Sequence, residues 1–363
     1  MVPSQWSESK RQKIKAFDPN GIGHPNGNLF GLPFTTEESA VVIIPAPWEV
    51  TASFRTGTAN APAAILEASY QIDLYDPCLP DAWQHGINML PAPKTLERWG
   101  RKLRRDALKC IQHVEQGGSP DDRQFAPIWQ EVNRGCEEFT GWVRGEAKHF
   151  LGAGKLVGVL GGDHSTALGL MQALADRHQY GVLQIDAHFD LRNAYQGFQY
   201  SHASVMRNAA DIPTITRFVH VGIRDYCQEE AEFVEKSGGK CVDFTDRWMK
   251  HERFSGTTWS VICDEMCDPL PDRVYVSFDI DGLDPSLCPN TGTPVPGGLN
   301  FEEAFFFLEG ILESGRRIIG FDLCEVAPAS DDPKEWASDW NATVGMRVLY
   351  RLGNLMIKSN LRA

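Results

Sequence analysis

Val182-Leu183-Gln184-Ile185-Asp186-Ala187-His188-Phe189-Asp190 passes from an apolar run directly into two carboxylates and an imidazole. In an extended segment residues i, i+2 and i+4 point the same way, so Asp186, His188 and Asp190 face one point. Two buried carboxylates that close together are unfavourable without a compensating cation. The plainer reading is an N-cap cluster at a strand-to-helix turn. The same pattern recurs to either side. Residues 156–160 lead into Gly161-Gly162-Asp163-His164-Ser165, residues 274–278 into Asp279-Ile280-Asp281-Gly282-Leu283-Asp284-Pro285, and residues 318–321 into Asp322-Leu323-Cys324-Glu325. Similar short runs stand at 41–45 and 218–221. Brief β-branched runs of this kind suit the central strands of a parallel sheet. Helical spacing fills the intervals at 166–178 and 301–313, the second with Asn300 as N-cap and Glu303 at the capping-box position. Alternating strand and helix predicts an α/β fold with a mainly parallel sheet, whose functional groups gather at the carboxyl ends of the strands.

The chain has 363 residues and a formal net charge of -13. That balance argues against duplex nucleic acid or an anionic membrane as a partner, since phosphate binding needs a basic surface. The N-terminus has no apolar run of the signal-peptide kind, and no stretch is apolar for long enough to span a bilayer. Nine cysteines at irregular spacing, with no CxxC, point to reduced thiols and a cytoplasmic location. Residues 1–40, rich in Pro, Gly and Asn, read as an irregular arm on a single domain of 41–363. Stretches 92–125 and 243–272 read as insertions or outer helices.

The motifs together offer His164, Asp186, His188, Asp190, Asp279 and Asp281 as ligands. Hard carboxylates with borderline imidazoles suit Mn²⁺, Ni²⁺, Fe²⁺ or Co²⁺ and not a thiolate zinc site. Six side chains are too many for one metal with an open position, whereas a pair of ions about 3.5 Å apart uses them all.

GGDHS, DAHFD and SFDIDGLDP, in this order, resemble the three signature motifs of the ureohydrolases, the family of arginases, agmatinases and relatives. The resemblance spans about residues 40–350. It implies a three-layer α/β/α sandwich around a parallel sheet of about eight strands, and a hydrolase that releases urea from a guanidinium group. It implies one metal on His164, Asp186, Asp190 and Asp279, and a second on His188, Asp186, Asp279 and Asp281. By the same resemblance Asp190 holds the attacking water, and His202 in Tyr200-Ser201-His202-Ala203-Ser204 is a proton shuttle titrating near neutrality. Glu325, at the rim of the site, binds the guanidinium, and Thr293 orients Glu325. Trimers or hexamers of the chain are expected. Deacetylases of the histone deacetylase type share the fold but keep a single zinc, and this chain has the His164, Asp190 and Asp281 that complete a second site.

The substrate is a finer question. Leu191-Arg192-Asn193-Ala194-Tyr195 does not follow the arginase pattern for holding an amino-acid tail. A cation at Arg192 disfavours the distal ammonium of agmatine and tolerates guanidine or a guanidino acid such as guanidinobutyrate. Arg192 reads equally well as the partner of a structural acid. Phe17 to Phe34, Pro47 to Ser53 and Asp190 to Ser204 look like the agmatinase-like subgroup that includes nickel-dependent guanidine hydrolases. That likeness implies guanidine as the substrate, with agmatine and guanidino acids as alternatives, and leaves Ni²⁺ and Mn²⁺ both open.

Overall fold

The structure is a computed structural model and describes residues 6–361. Eight strands form one sheet: β1 Val41–Ala46, β2 Ile87–Met89, β3 Leu156–Gly161, β4 Tyr180–Ile185, β5 Ile215–Val221, β6 Cys241–Phe244, β7 Arg273–Asp279 and β8 Arg317–Cys324. Their order is β2-β1-β3-β8-β7-β4-β5-β6, and every pairing is parallel. Each apolar run in the sequence lies within a strand. The two strands that the pattern did not disclose, β2 and β6, are the sheet's edges and are three and four residues long. Strands that short carry too few residues for a period to emerge.

The sheet has an apolar core on each face, which makes three layers. One core packs strand residues such as Ile43, Leu183 and Phe278 against the helices Ala61–Ser69, Phe301–Glu313 and Trp340–Leu361. The other packs Ile44, Val159 and Val182 against Lys94–Glu115, Ala126–Gly152 and Leu168–Ala175. The capping box expected at Asn300 and Glu303 forms, each side chain accepting from the other residue's backbone N–H at 2.8 and 3.0 Å. Stretch 92–125 holds the helix Lys94–Glu115, and 243–272 holds Asp246–Phe254 and Trp259–Cys267. The arm is not irregular throughout, because Glu8–Ala16 is a helix with Ser7 as its N-cap. Its apolar content is too low to announce a helix. It docks through Lys10, whose buried ammonium donates to the Glu38 and His85 carbonyls at 2.7 Å each. Among the described residues no helix is long and apolar enough to cross a membrane.

Gly161 and Gly162 end β3. Neither adopts positive φ, so the turn does not need glycine's conformational freedom there. It needs the space. A Cβ on Gly162 would lie 1.8 Å from the Trp48 carbonyl oxygen, while Asp163 N–H donates to that same oxygen at 2.8 Å. Gly162→Ala is therefore expected to destabilise the fold by about 3 kcal/mol or more, since rigid backbone must move. Chemical denaturation of the metal-free protein measures this, and a change below about 1 kcal/mol would mean that the two segments separate easily.

Candidate metal centre

The four motif-bearing strands are neighbours in the middle of the sheet, in the order β3-β8-β7-β4. The chain leaves β3 for β4, builds outward to β6, and returns to insert β7 and β8 between them. Residues far apart in sequence thus meet at the carboxyl ends of adjacent strands, where parallel sheets place ligands.

His164 follows β3 and is buried. Three carboxylate oxygens converge on its Nδ1: Asp190 Oδ2 at 2.9 Å, Asp186 Oδ2 at 3.0 Å and Asp279 Oδ2 at 3.3 Å. His188 Nδ1 lies 3.2 Å from Asp281 Oδ2 and 3.5 Å from Asp186 Oδ1. Among the groups with metal-ligating spacing, His164 stands with Asp186 and Asp190, His188 with Asp186 and Asp281, and His164 also with Asp322 and Cys324 on its other side; the first two include the predicted ligands. Asp186 belongs to both. Backbone N–H groups hold the carboxylates in place: His188 N–H donates to Asp186 at 2.6 Å, Ala187 N–H to Asp281 at 3.0 Å and Asp281 N–H to Asp279 at 2.8 Å. Asp190 and Glu325 adopt left-handed backbone, with φ of 55° and 63°. Such strain in non-glycine residues costs about 1–3 kcal/mol each and clusters at functional sites.

The electrostatics describe a site short of positive charge. Burial, then the Asp281 and Asp186 charges, push Asp279 well above the usual carboxylate range. Burial and Asp186 raise Asp190 to about 7. Burial opposes ionisation of His188, yet Asp281 and Asp186 push it up to about 12. His164 Nδ1 makes no directed hydrogen bond although it is buried among three carboxylates. Oxygen and imidazole donors aimed at shared points, with carboxylates in excess, fit two hard or borderline divalent cations.

Other predicted residues line a cavity of about 150 Å³ beside these groups, including Asp190, Arg192, His202, Thr293 and Glu325. Glu325 is buried and not at a rim. Its Oε1 accepts from His164 N–H at 2.9 Å, and its Oε2 presses on Gly292, where a Cβ would come within 2.8 Å. Glycine at 292 thus makes room for this carboxylate. Thr293 does not contact Glu325 by hydrogen bond. Its hydroxyl donates to Asp281 Oδ2 at 3.3 Å, because the Glu325 oxygens face His164 and Gly292. His202 does not titrate near neutrality: burial, then His188, His164 and Arg104, lower it to about 3. Its Nε2 lies 3.4 Å from Ser53 Oγ. Arg192 has both of its expected environments. It lines the cavity, and its Nε lies 3.8 Å from the buried Glu230 while its guanidinium sits 5.0 Å from the centre of the Tyr195 ring.

Sequence reading passed over several polar groups. Ser277 Oγ lies 2.8 Å from His164 Nε2 and donates to Asp322 Oδ2 at 2.8 Å. Asp322 was visible only as the first acid of the fourth motif. Ser53, which ends a stretch that carries the resemblance but was assigned no role, and Asp225, which has no local signal, also line the cavity.

The model of the arginase family matches residues 39–352. An N(1)-aminopropylagmatine ureohydrolase of Synechocystis sp. is 30% identical over 296 residues, covering 80% of this chain and 82% of the relative. An agmatinase of Bacillus anthracis is 28% identical over 300 residues, covering 81% and 86%. The crystal structure of the agmatine ureohydrolase of Thermoplasma volcanium superposes with a TM-score of 0.68 at 23% identity, covering 97% of this chain and 99% of that one.

Proposed function

The chain belongs to the arginase family and is a ureohydrolase, a hydrolase acting on C–N bonds of amidines, and from that premise we propose that its substrate is guanidine, cleaved to urea and ammonium. The observation that carries this is the small size of the cavity. About 150 Å³ lies beside the carboxylates, with Arg192 stacked on Tyr195 among its walls. A planar guanidinium and a water match a space of that volume.

His164, Asp186, Asp190 and Asp279 would hold one divalent ion, and His188, Asp186, Asp279 and Asp281 the other, Mn²⁺ and Ni²⁺ both suiting these donors. Such a pair supplies water ionised near neutral pH and charge neutralisation at the reacting carbon. Glu325 binds the planar cation through its carboxylate and sets the angle of attack. The His164 N–H on Oε1 and the close fit of Oε2 against Gly292 keep that carboxylate from rotating. Guanidinium plus water gives urea plus ammonium, so both water protons end on the leaving nitrogen. Asp190 accepts the first. His202, neutral at pH 7 and in line with Ser53 Oγ, relays a proton without storing one.

A second reading has its own observation. Asp225 is an exposed carboxylate at the cavity, with His188 Nε2 at 3.9 Å, and a distal ammonium can pair with it. Glu230 offsets the Arg192 charge that would repel such a tail. Agmatine is the substrate of that reading. Urea release is measured with protein loaded separately with Mn²⁺ and Ni²⁺, on guanidine, agmatine, arginine and guanidinobutyrate. Guanidine is expected to give the highest kcat/KM. A higher value for agmatine transfers the assignment to the second reading, and a higher value for guanidinobutyrate makes Arg192 a carboxylate receptor.

A further inference from the structure

A polar row crosses the middle of the sheet beneath the metal centre. His220 on β5 is the register partner of Gln184 on β4, Gln184 is the partner of Ser277 on β7, and Ser277 is the partner of Asp322 on β8. All four are fully buried in a layer whose neighbours along each strand are apolar. Polar groups in a sheet core are unfavourable unless they are bonded, and a row of them asks for a reason. Gln184 and Ser277 stand two residues before Asp186 and Asp279, on the same face of their strands.

The hydrogen bonds of Gln184 are directional. Its amide nitrogen donates to Asp186 Oδ2 at 2.6 Å and to the His188 carbonyl at 3.1 Å. Its amide oxygen lies 2.5 Å from His220 Nδ1. An amide oxygen only accepts, so His220 Nδ1 carries the hydrogen. Turning the amide over would set its oxygen against a carboxylate and a carbonyl and its NH₂ against an N–H donor. Asp186 and the His188 carbonyl require the NH₂ on their side, and His220 Nδ1–H completes that orientation by holding the amide oxygen. The imidazole is itself clamped, stacked on Phe218 at 6.0 Å and met edge-on by Phe189 at 5.3 Å. Burial lowers it to about 4, so the ring is neutral and one of its nitrogens is a donor. The carboxylate at the end of the chain of bonds belongs to both the His164 and the His188 ligand groups.

We propose that Gln184, held in one orientation by His220, is the positioning residue that aims Asp186 into the metal centre. Neither residue touches substrate. The pair acts by removing the rotational freedom of a carboxylate that both ions share, as groups bonded to metal ligands do elsewhere. The proposal rests on the reading of Asp186 as a metal ligand, and its test separates the two.

Mn²⁺ and Ni²⁺ are titrated into the metal-free protein against a chelator of known affinity, and the electron paramagnetic resonance spectrum of the Mn²⁺-loaded protein is recorded. Gln184→Met keeps the volume and removes the donors, and it is expected to weaken ion binding about 10–100-fold and to alter the spectrum. His220→Leu is expected to weaken binding in the same direction. His220→Asn, which returns an N–H near the place of Nδ1, is expected to restore it. Combining His220→Leu with Gln184→Met is expected to be no worse than Gln184→Met alone, because His220 acts through Gln184. Binding within twofold of wild type in Gln184→Met, or full additivity of the two losses, overturns the proposal. Equal binding by His220→Asn and His220→Leu also overturns it, and this comparison stands alone if Gln184→Met does not fold. Melting of the metal-free variants separates a structural effect: a binding loss that only tracks a lowered melting temperature counts against positioning. A wild-type protein that takes up neither ion overturns instead the reading of the site on which this rests.

Discussion

Glu325→Gln is expected to lower kcat/KM for the guanidino substrate by about 10²–10⁴-fold while leaving metal content at two ions per chain. The magnitude follows from two charge-assisted hydrogen bonds of about 1.5–3 kcal/mol each. Glutamine keeps the shape of the side chain, and its Oε1 still accepts from His164 N–H, so the fold around residue 325 is retained. The substitution removes the negative charge and places an NH₂ where an acceptor faced the guanidinium. Burial, then Asp163, push the Glu325 carboxyl well above the usual range. A cationic substrate is the group that favours the ionised form there. Steady-state kinetics with metal analysis on the same samples checks this. Activity within tenfold of wild type would remove Glu325 from the substrate site.

Asp186→Asn has the other large effect, on the metals themselves. Asp186 belongs to both the His164 and the His188 ligand groups and is fully buried. Removing one partner of a buried charge interaction costs about 3–5 kcal/mol, which is roughly 10²–10⁴-fold in a dissociation constant. Burial opposes ionisation of Asp186, but His164 and His188 overcome it and hold the carboxylate below its usual range. The variant is expected to bind at most one ion tightly, to lose hydrolysis almost entirely, and to gain far less thermal stability from added metal than wild type does. Equilibrium dialysis with metal analysis reads the stoichiometry. Two ions bound at wild-type affinity would mean that Asp186 is a structural acid and that the centre is built differently.

The residues themselves show which parts of this were legible in advance. His164, Asp186, His188, Asp190, Asp279 and Asp281 stand in three contiguous motifs, each at the end of an apolar run, and the structure brings all six together. Thr293 stands near the expected groups, but its hydroxyl meets Asp281, because the Glu325 oxygens face His164 and Gly292. His202 was given an ordinary imidazole pKa, because nothing near it in sequence discloses that it is half-buried beside other basic groups. Arg192 was left between two environments, and only the position of Glu230, from a helix further along the chain, gives it both.

The sequence by itself determined the α/β class, six of the eight strands, the capped helix Phe301–Glu313 and the set of side chains that converge. The physical reason is that periodicity and i, i+2, i+4 spacing are local properties of an extended chain. Only the tertiary structure decided the strand order that makes β3, β8, β7 and β4 neighbours. With that order came the register that sets His220 beside Gln184 and Ser277 beside Asp322, and the cavity that Arg192 and Tyr195 help to line. Those depend on which distant segments pair and on how far each slides along its neighbour, and register between strands is settled by the packing of whole faces, not by any one segment's residues.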